Sequence, residues 1–278
     1  MVVVTIKRPL SEALTARHLS SNGGPVLQVD GVHLAFGGTQ AIAGASFEVN
    51  QGELFAIIGP NGAGKTSLFN CISGVHRPDR GEIRFLGEPL TGRQPEAIAR
   101  SGIARMFQNI ELFEHLTVLD NLMLGRHVHM SYGIAAAVAW LGRAQREELT
   151  NRRIVEDLID FLELASHRLS HVGVLPYGVQ KRVELGRALA MEPTLLLLDE
   201  PVAGMNVEET EDMARFILDI RRELGTSMIL VEHDMGVVMD LADRVLAMDF
   251  GVPLVTGAPA QVQADPNVIR AYLGEEHW

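Results

Sequence analysis

At 278 residues and 47% hydrophobic content, the chain can bury one large core, or one domain carrying an inserted subdomain. Its formal net charge of −11 disfavours nucleic acid as a partner, because phosphate backbones select basic faces, and its single cysteine, Cys71, excludes an internal disulfide and fits a reducing compartment. The run Ile134–Leu141 is far shorter than the roughly 20 apolar residues that a bilayer span requires, so no membrane crossing is expected.

The first 24 residues place a short apolar run ahead of their basic residues, the reverse of a signal peptide, and are expected to form an extension with little structure. Residues 26–29 and 32–36 alternate like a strand pair, and 45–49 resume the pattern after Phe36-Gly-Gly38, so the chain is expected to open with a small, mainly antiparallel sheet. Leu54–Ile58 is a buried strand, 67–73 a helix, 82–86 a strand, 95–100 a short helix with proline in its first turn, and 102–107 a buried strand ended by Gln108. From about 112 to 176 the character becomes helical: Thr117 caps one helix, 143–164 is long and amphipathic, and the glycine- and alanine-rich stretch 130–141 between them is less well determined. Beyond it, helices at 177–191, 208–224 and 235–241 alternate with strands at 194–198, 227–231 and 244–248, which predicts a parallel sheet covered on both faces. Helices are expected again over about 258–274.

Chemistry concentrates at strand ends. Gly59-Pro60-Asn61-Gly62-Ala63-Gly64-Lys65-Thr66-Ser67 fits G-x-x-x-x-G-K-[ST] between a strand and a helix, the context this motif requires. Its glycines let backbone N–H groups converge, the helix start and Lys65 add positive charge, and the product is a polyphosphate cradle in which Thr66 offers a hydroxyl to magnesium. Four leucines precede Asp199-Glu200-Pro201. Two carboxylates at the end of a buried strand are costly without a cation or polar ligand, so Asp199 is a magnesium candidate, directly or through water, and Glu200 a general base. His233 follows the strand 227–231 and is placed to meet a γ-phosphate, whereas Gln108 taken alone is a polar strand terminus.

Taken together, GPNGAGKTS, Phe107-Gln108, Leu175-Pro-Tyr-Gly-Val-Gln180, LLLLDEP and Glu232-His-Asp234 resemble the ATP-binding cassette (ABC) ATPases in order and spacing. The resemblance covers roughly 27–274 and looks strongest to the ATP-binding subunits of branched-chain, or hydrophobic, amino acid importers. It implies an α/β fold: a P-loop NTPase (RecA-like) core with a parallel sheet, an N-terminal antiparallel β subdomain and an inserted helical subdomain, all in one ATPase domain spanning 25–278. It further implies ATP and Mg2+ as ligands, Phe36 stacked on adenine, Gln108 touching magnesium and the attacking water, Glu200 as base and His233 as switch. Two cassettes would pair head to tail, so that Tyr177, Gly178, Val179 and Gln180 complete the partner's site. The implied partners are a second cassette, transmembrane permeases and, indirectly, a solute-binding protein, on the cytoplasmic face of the cell membrane. Three departures stand out: Pro176 replaces the usual serine, Val179 the usual glutamine and Asn206 the usual aspartate. An importer for urea, amides or aromatic acids is the alternative within transport, and a soluble ABC ATPase acting on DNA or ribosomes the alternative outside it.

Overall fold

The computed structural model describes residues 24–129 and 143–273; the extension expected over residues 1–24 lies outside them but for Gly24, as does the stretch 130–141. In chain order come β1 (Leu27–Phe36), β2 (Thr39–Val49), β3 (Leu54–Ile58), α1 (Lys65–Ile72), β4 (Arg80–Phe85), β5 (Glu88–Pro89), α2 (Pro95–Ser101) and β6 (Ile103–Met106). Then follow α3 (Val118–Gly125), α4 (Arg143–Phe161) and α5 (Tyr177–Leu189), and, alternating, β7 (Leu195–Asp199), α6 (Val207–Leu224), β8 (Ser227–Val231), α7 (Met235–Leu241) and β9 (Arg244–Asp249). The strand β10 (Val252–Gly257) and the short helices α8 (Pro259–Gln263) and α9 (Pro266–Leu273) end the described chain.

Two sheets result, one with strand order β2-β1-β4-β5 and one with order β10-β9-β3-β8-β7-β6. The first is antiparallel throughout. The expected pair at 26–29 and 32–36 is one strand: the pairing shifts register between Val29 and Val32, and Gly31, at φ 54°, bulges the chain without reversing it. In the second sheet β9, β3, β8, β7 and β6 run parallel. Its edge strand β10 is antiparallel to β9, so the sheet is mixed rather than wholly parallel. Phe250 and Gly251, at φ 42° and 80°, form the two-residue turn between them, since two positive φ values match the twist of a tight hairpin.

Every residue of β3, β7 and β8 is buried, and successive side chains go to opposite faces. Leu54, Ala56 and Ile58, with Leu196, Leu198, Met228 and Leu230, pack against the helical face that includes α3 to α7. Phe55 and Ile57, with Leu195, Leu197, Ile229 and Val231, pack toward the antiparallel sheet and α1. Each fully buried leucine contributes about 2 kcal/mol of transfer free energy, which is why these apolar runs settle in the central layer. Thr117 and Asn206 cap α3 and α6 through reciprocal bonds with Asp120 and Glu209. No described helix is long and apolar enough to cross a membrane.

Candidate nucleotide-binding and hydrolytic site

The parallel registers bring four chain exits to one edge of the large sheet. Ile57 pairs with Val231, Val231 with Asp199, and Leu198 with Met106, so the loops after β3, β8, β7 and β6 emerge side by side. Those loops begin with Gly59, Glu232-His233, Glu200 and Phe107-Gln108, and the carboxyl edge of a parallel sheet is where such folds bind ligands.

The glycine loop is shaped by close backbone approach. A Cβ on Gly59 would lie 2.1 Å from the Met248 carbonyl oxygen, and one on Gly64, the N-cap of α1 at φ 96°, would lie 2.3 Å from that of Ala41. Only glycine fits either place. Gly251 N–H donates to Ala63 O at 3.1 Å and Leu68 N–H to Gly64 O at 3.0 Å. Lys65 is buried, and its ammonium donates to the carbonyl oxygens of Gly59 and, at 2.9 Å, Pro60. Asn61, Gly62 and Thr66 are exposed, Ser67 is half-buried, and open space surrounds the Gly62 Cα. A cation with backbone carbonyl partners, at a helix start with an uncovered rim, fits a phosphate chain.

Asp199 is buried at the end of β7, where it meets Arg105 from β6 at 2.6 Å. Arg105 also donates to Asn70 Oδ1 at 2.7 Å and Ser73 Oγ at 3.3 Å on the α1 side, and its guanidinium lies 4.8 Å from the Phe107 ring centre. Its Nε is buried without a hydrogen-bond partner. The Thr66 hydroxyl, the Gln108 amide oxygen and the Asp199 carboxylate are hard oxygen donors of the kind magnesium selects, and they could hold it here. Gln108 reaches Glu200 directly, its amide nitrogen donating to Oε2 at 2.6 Å. Glu200 takes a positive φ of 48°, a conformation costing about 1 kcal/mol or more for a non-glycine residue. Its N–H donates to Val231 O at 2.9 Å. His233 Nδ1 stands 3.9 Å from Glu200 and 3.7 Å from Glu232, with its side chain 61% exposed.

Behind these groups lies a buried ionic layer that the sequence did not announce. Lys181, on α5, is wholly buried and donates to the Gln108 carbonyl oxygen at 2.6 Å. Burial pushes its ammonium below the usual lysine range, while Glu184, Glu232, Asp199 and Glu200 pull the other way. Burial likewise raises Glu184 to about 7, against the pull of Lys181 and Arg187. Glu232, also wholly buried, is raised by desolvation, although it accepts from the N–H groups of Val202 at 3.2 Å and His233 at 3.1 Å. Lys181 and Glu184 stand three apart on one helix, a weak sequence signal that becomes meaningful only once α5 is known to bury that face. Arg105 had no place in a motif, and Glu232 entered only as the first residue of Glu232-His-Asp234, with no role of its own.

Two groups of expected residues lie apart from this cluster. Tyr177 donates its hydroxyl to Ala203 O at 3.0 Å, and a Cβ on Gly178 would meet Glu209 Oε1 at 2.4 Å, so the start of α5 packs on the loop after β7 and on α6. Pro176 is the N-cap of α5 and offers no side-chain cap, Val179 is buried, and Gln180 turns back to Leu175 O at 2.8 Å. Phe36, at the end of β1, is 46% exposed, and its ring makes a T-shaped contact with that of His76 at 5.1 Å between centres. That exposure leaves ring surface on which a planar group could stack.

Comparison with known proteins gives the family. The family profile described as "ABC transporter" matches residues 42–203, and one described as "Branched-chain amino acid ATP-binding cassette transporter" matches 253–277. The high-affinity branched-chain amino acid transport ATP-binding protein BraF of Pseudomonas aeruginosa is 38% identical over 251 residues, covering 90% of this chain and 98% of that protein. Its counterpart LivG of Escherichia coli is 39% identical over 254 residues, with the same coverage. Among solved structures, the ADP conformation of MJ1267, an ATP-binding cassette of an ABC transporter, superposes with a TM-score of 0.79 at 29% identity over 90% of this chain and 99% of that one.

Proposed function

Because this chain belongs to the ABC transporter family, as one of its ATP-binding, ATP-hydrolysing subunits, we propose that it energises the uptake of branched-chain or other hydrophobic amino acids across a cell membrane, docked on the cytoplasmic face. The observation that carries the hydrolytic part is the 2.6 Å contact between Gln108 and Glu200 beside the glycine loop. The substrate class rests on the likeness to BraF and LivG over almost their whole length and on the carboxyl-terminal match at 253–277.

Bound ATP supplies the phosphoryl group to be transferred, and magnesium neutralises charge on its terminal phosphates. In this reading Gly59 to Ser67 receive the phosphates, and Lys65 exchanges its carbonyl partners in the loop for phosphate oxygens. Thr66, Gln108 and Asp199 hold the magnesium, and Phe36 stacks on the adenine. Gln108 orients a water toward the phosphate, and Glu200, whose Oε2 is engaged by Gln108, takes its proton at Oε1. His233 senses the terminal phosphate from the end of β8, which lies between β3 and β7. Tyr177, Gly178, Val179 and Gln180 of a second cassette close the site from above, so closure and reopening of a dimer follow binding and hydrolysis and move the attached permeases. A periplasmic or extracellular solute-binding protein delivers the amino acid.

Glu200→Gln tests the base: ATP binding should persist while steady-state turnover falls to background, and wild-type turnover in that variant sinks the assignment. Leucine uptake by vesicles carrying the complete transporter tests the substrate class. ATP-driven uptake of urea or an amide with none of leucine would favour the alternative solute.

A further inference from the structure

A chain of contacts joins the start of α5 to the proposed base. Tyr177 donates to the Ala203 carbonyl, in the loop that follows Glu200. One helical turn on, the Lys181 ammonium lies 5.9 Å from the centre of the Tyr177 ring. The same ammonium donates to the backbone carbonyl of Gln108 at 2.6 Å, and the Gln108 side chain donates to Glu200 at 2.6 Å. Glu200 and Ala203 are themselves joined by the bond from Ala203 N–H to Glu200 O, which closes the circuit.

Lys181 is the one lysine of this circuit, and it is 0% exposed. A wholly buried ammonium is costly unless its surroundings compensate. The cost here is met by a carbonyl on the loop after β6 and by nearby carboxylates, a placement that packing alone does not require. Farther along, the loop is held by Arg187, which donates to Glu111 O, and by Asn121, which accepts from Phe113 N–H at 3.0 Å, whereas at residue 108 itself the backbone carbonyl is held by the Lys181 ammonium. Without the ammonium, the backbone of residue 108 has freedom that the 2.6 Å contact to Glu200 would feel directly.

We infer that Lys181 is a positioning residue for hydrolysis: it pins the backbone of Gln108 so that its amide meets Glu200, and it ties that geometry to Tyr177 at the start of α5. This inference rests on the proposed reading of Gln108 and Glu200 as the groups that orient and activate water. On that reading, a nucleotide contacting Tyr177 from a partner cassette adjusts the base of the same chain through one side chain.

The test compares Lys181→Met with Lys181→Arg in the full-length chain, measuring kcat and KM for ATP hydrolysis and the affinity for a fluorescent ATP analogue. Lys181→Met should lower kcat by about tenfold or more while nucleotide affinity and KM stay within about twofold, since the glycine loop sits on other elements. Lys181→Arg, which keeps a buried donor, should recover most of kcat. Lys181→Met leaves Glu184 buried without that cation, so Lys181→Met is also made in a Glu184→Gln background, and the same loss of kcat is expected there relative to Glu184→Gln alone. Wild-type kcat in nucleotide-binding Lys181→Met, or a double variant no slower than Glu184→Gln alone, overturns the inference. Glu200→Gln run in parallel separates the two failures: if it abolishes turnover while Lys181→Met is silent, the base stands and only the positioning role falls.

Discussion

Arg105 and Asp199 form an ion pair at 2.6 Å between neighbouring strands, with side chains only 8% and 3% exposed. The carboxylate proposed to receive magnesium thus already has a resident cation, supplied by the strand that leads to Gln108. Removing one partner of a buried pair strands the other charge and costs about 3–5 kcal/mol. Arg105→Met should therefore lower the thermal midpoint of the protein without ligand. Magnesium with ATP should raise the variant's midpoint by more than it raises the wild type's, because the added cation replaces the missing one. Equal ligand-induced shifts in thermal melts of the two proteins would count against this.

The glycine loop offers a sharper contrast. Gly59→Ala would press a methyl group into the Met248 carbonyl, whereas Gly62→Ala meets open space and suffers only its φ of 81°. Gly62→Ala should cost about 1–2 kcal/mol in a urea titration and leave measurable nucleotide binding. Gly59→Ala should displace β9 or the loop itself and abolish nucleotide binding in an equilibrium titration.

Glu184 gives a pH signature. Its carboxyl is raised to about 7 from an ordinary 4.5, so the folded chain binds this proton more tightly than the unfolded one. Its contribution to stability is fully present below about 4.5 and is lost as pH rises through about 7. Glu184→Gln, which cannot ionise, should flatten the fall in stability across that window by on the order of 3 kcal/mol at most. Urea midpoints collected from pH 4.5 to pH 8 would show this, and parallel curves for variant and wild type would contradict it.

Asn206 stands where an aspartate is usual in the resembled family, and the structure gives it work: its side chain accepts from Glu209 N–H at 3.0 Å, while Glu209 reaches back to Asn206 N–H at 3.1 Å. Asn206→Ala should cost about 1 kcal/mol of stability, and Asn206→Asp, an equally good cap, only a few tenths. Chemical unfolding of both variants checks the ranking.

The strands Leu54–Ile58 and Ser227–Val231 and the helix Met235–Leu241 lie where sequence reading puts them, because uninterrupted apolar runs bounded by charge or glycine have one sensible place in a two-faced sheet. Local pattern failed where pairing is decided from afar. The half-exposed strand Val252–Gly257 has no clean alternation and owes its existence to its neighbour β9, and Gly31 reads as a turn until β4 and β2 hold both of its flanks. The site divides in the same way. Lys65, Asp199 and Glu200 stand in contiguous motifs, whereas Arg105 and Lys181 matter through partners 94 and 73 residues away. No spacing rule reaches that far.

The glycine loop is also a clasp between an early and a late segment of the chain. It is shaped by Ala41 on one side and by Met248 and Gly251 on the other, and the strand leading into it is fastened by Leu54 N–H to Asp243, 189 residues later. A nascent chain emerging from the ribosome therefore carries the complete phosphate motif long before it can present the motif in working form. A polypeptide truncated before β9 should carry the sequence of the phosphate loop without the backbone that shapes it.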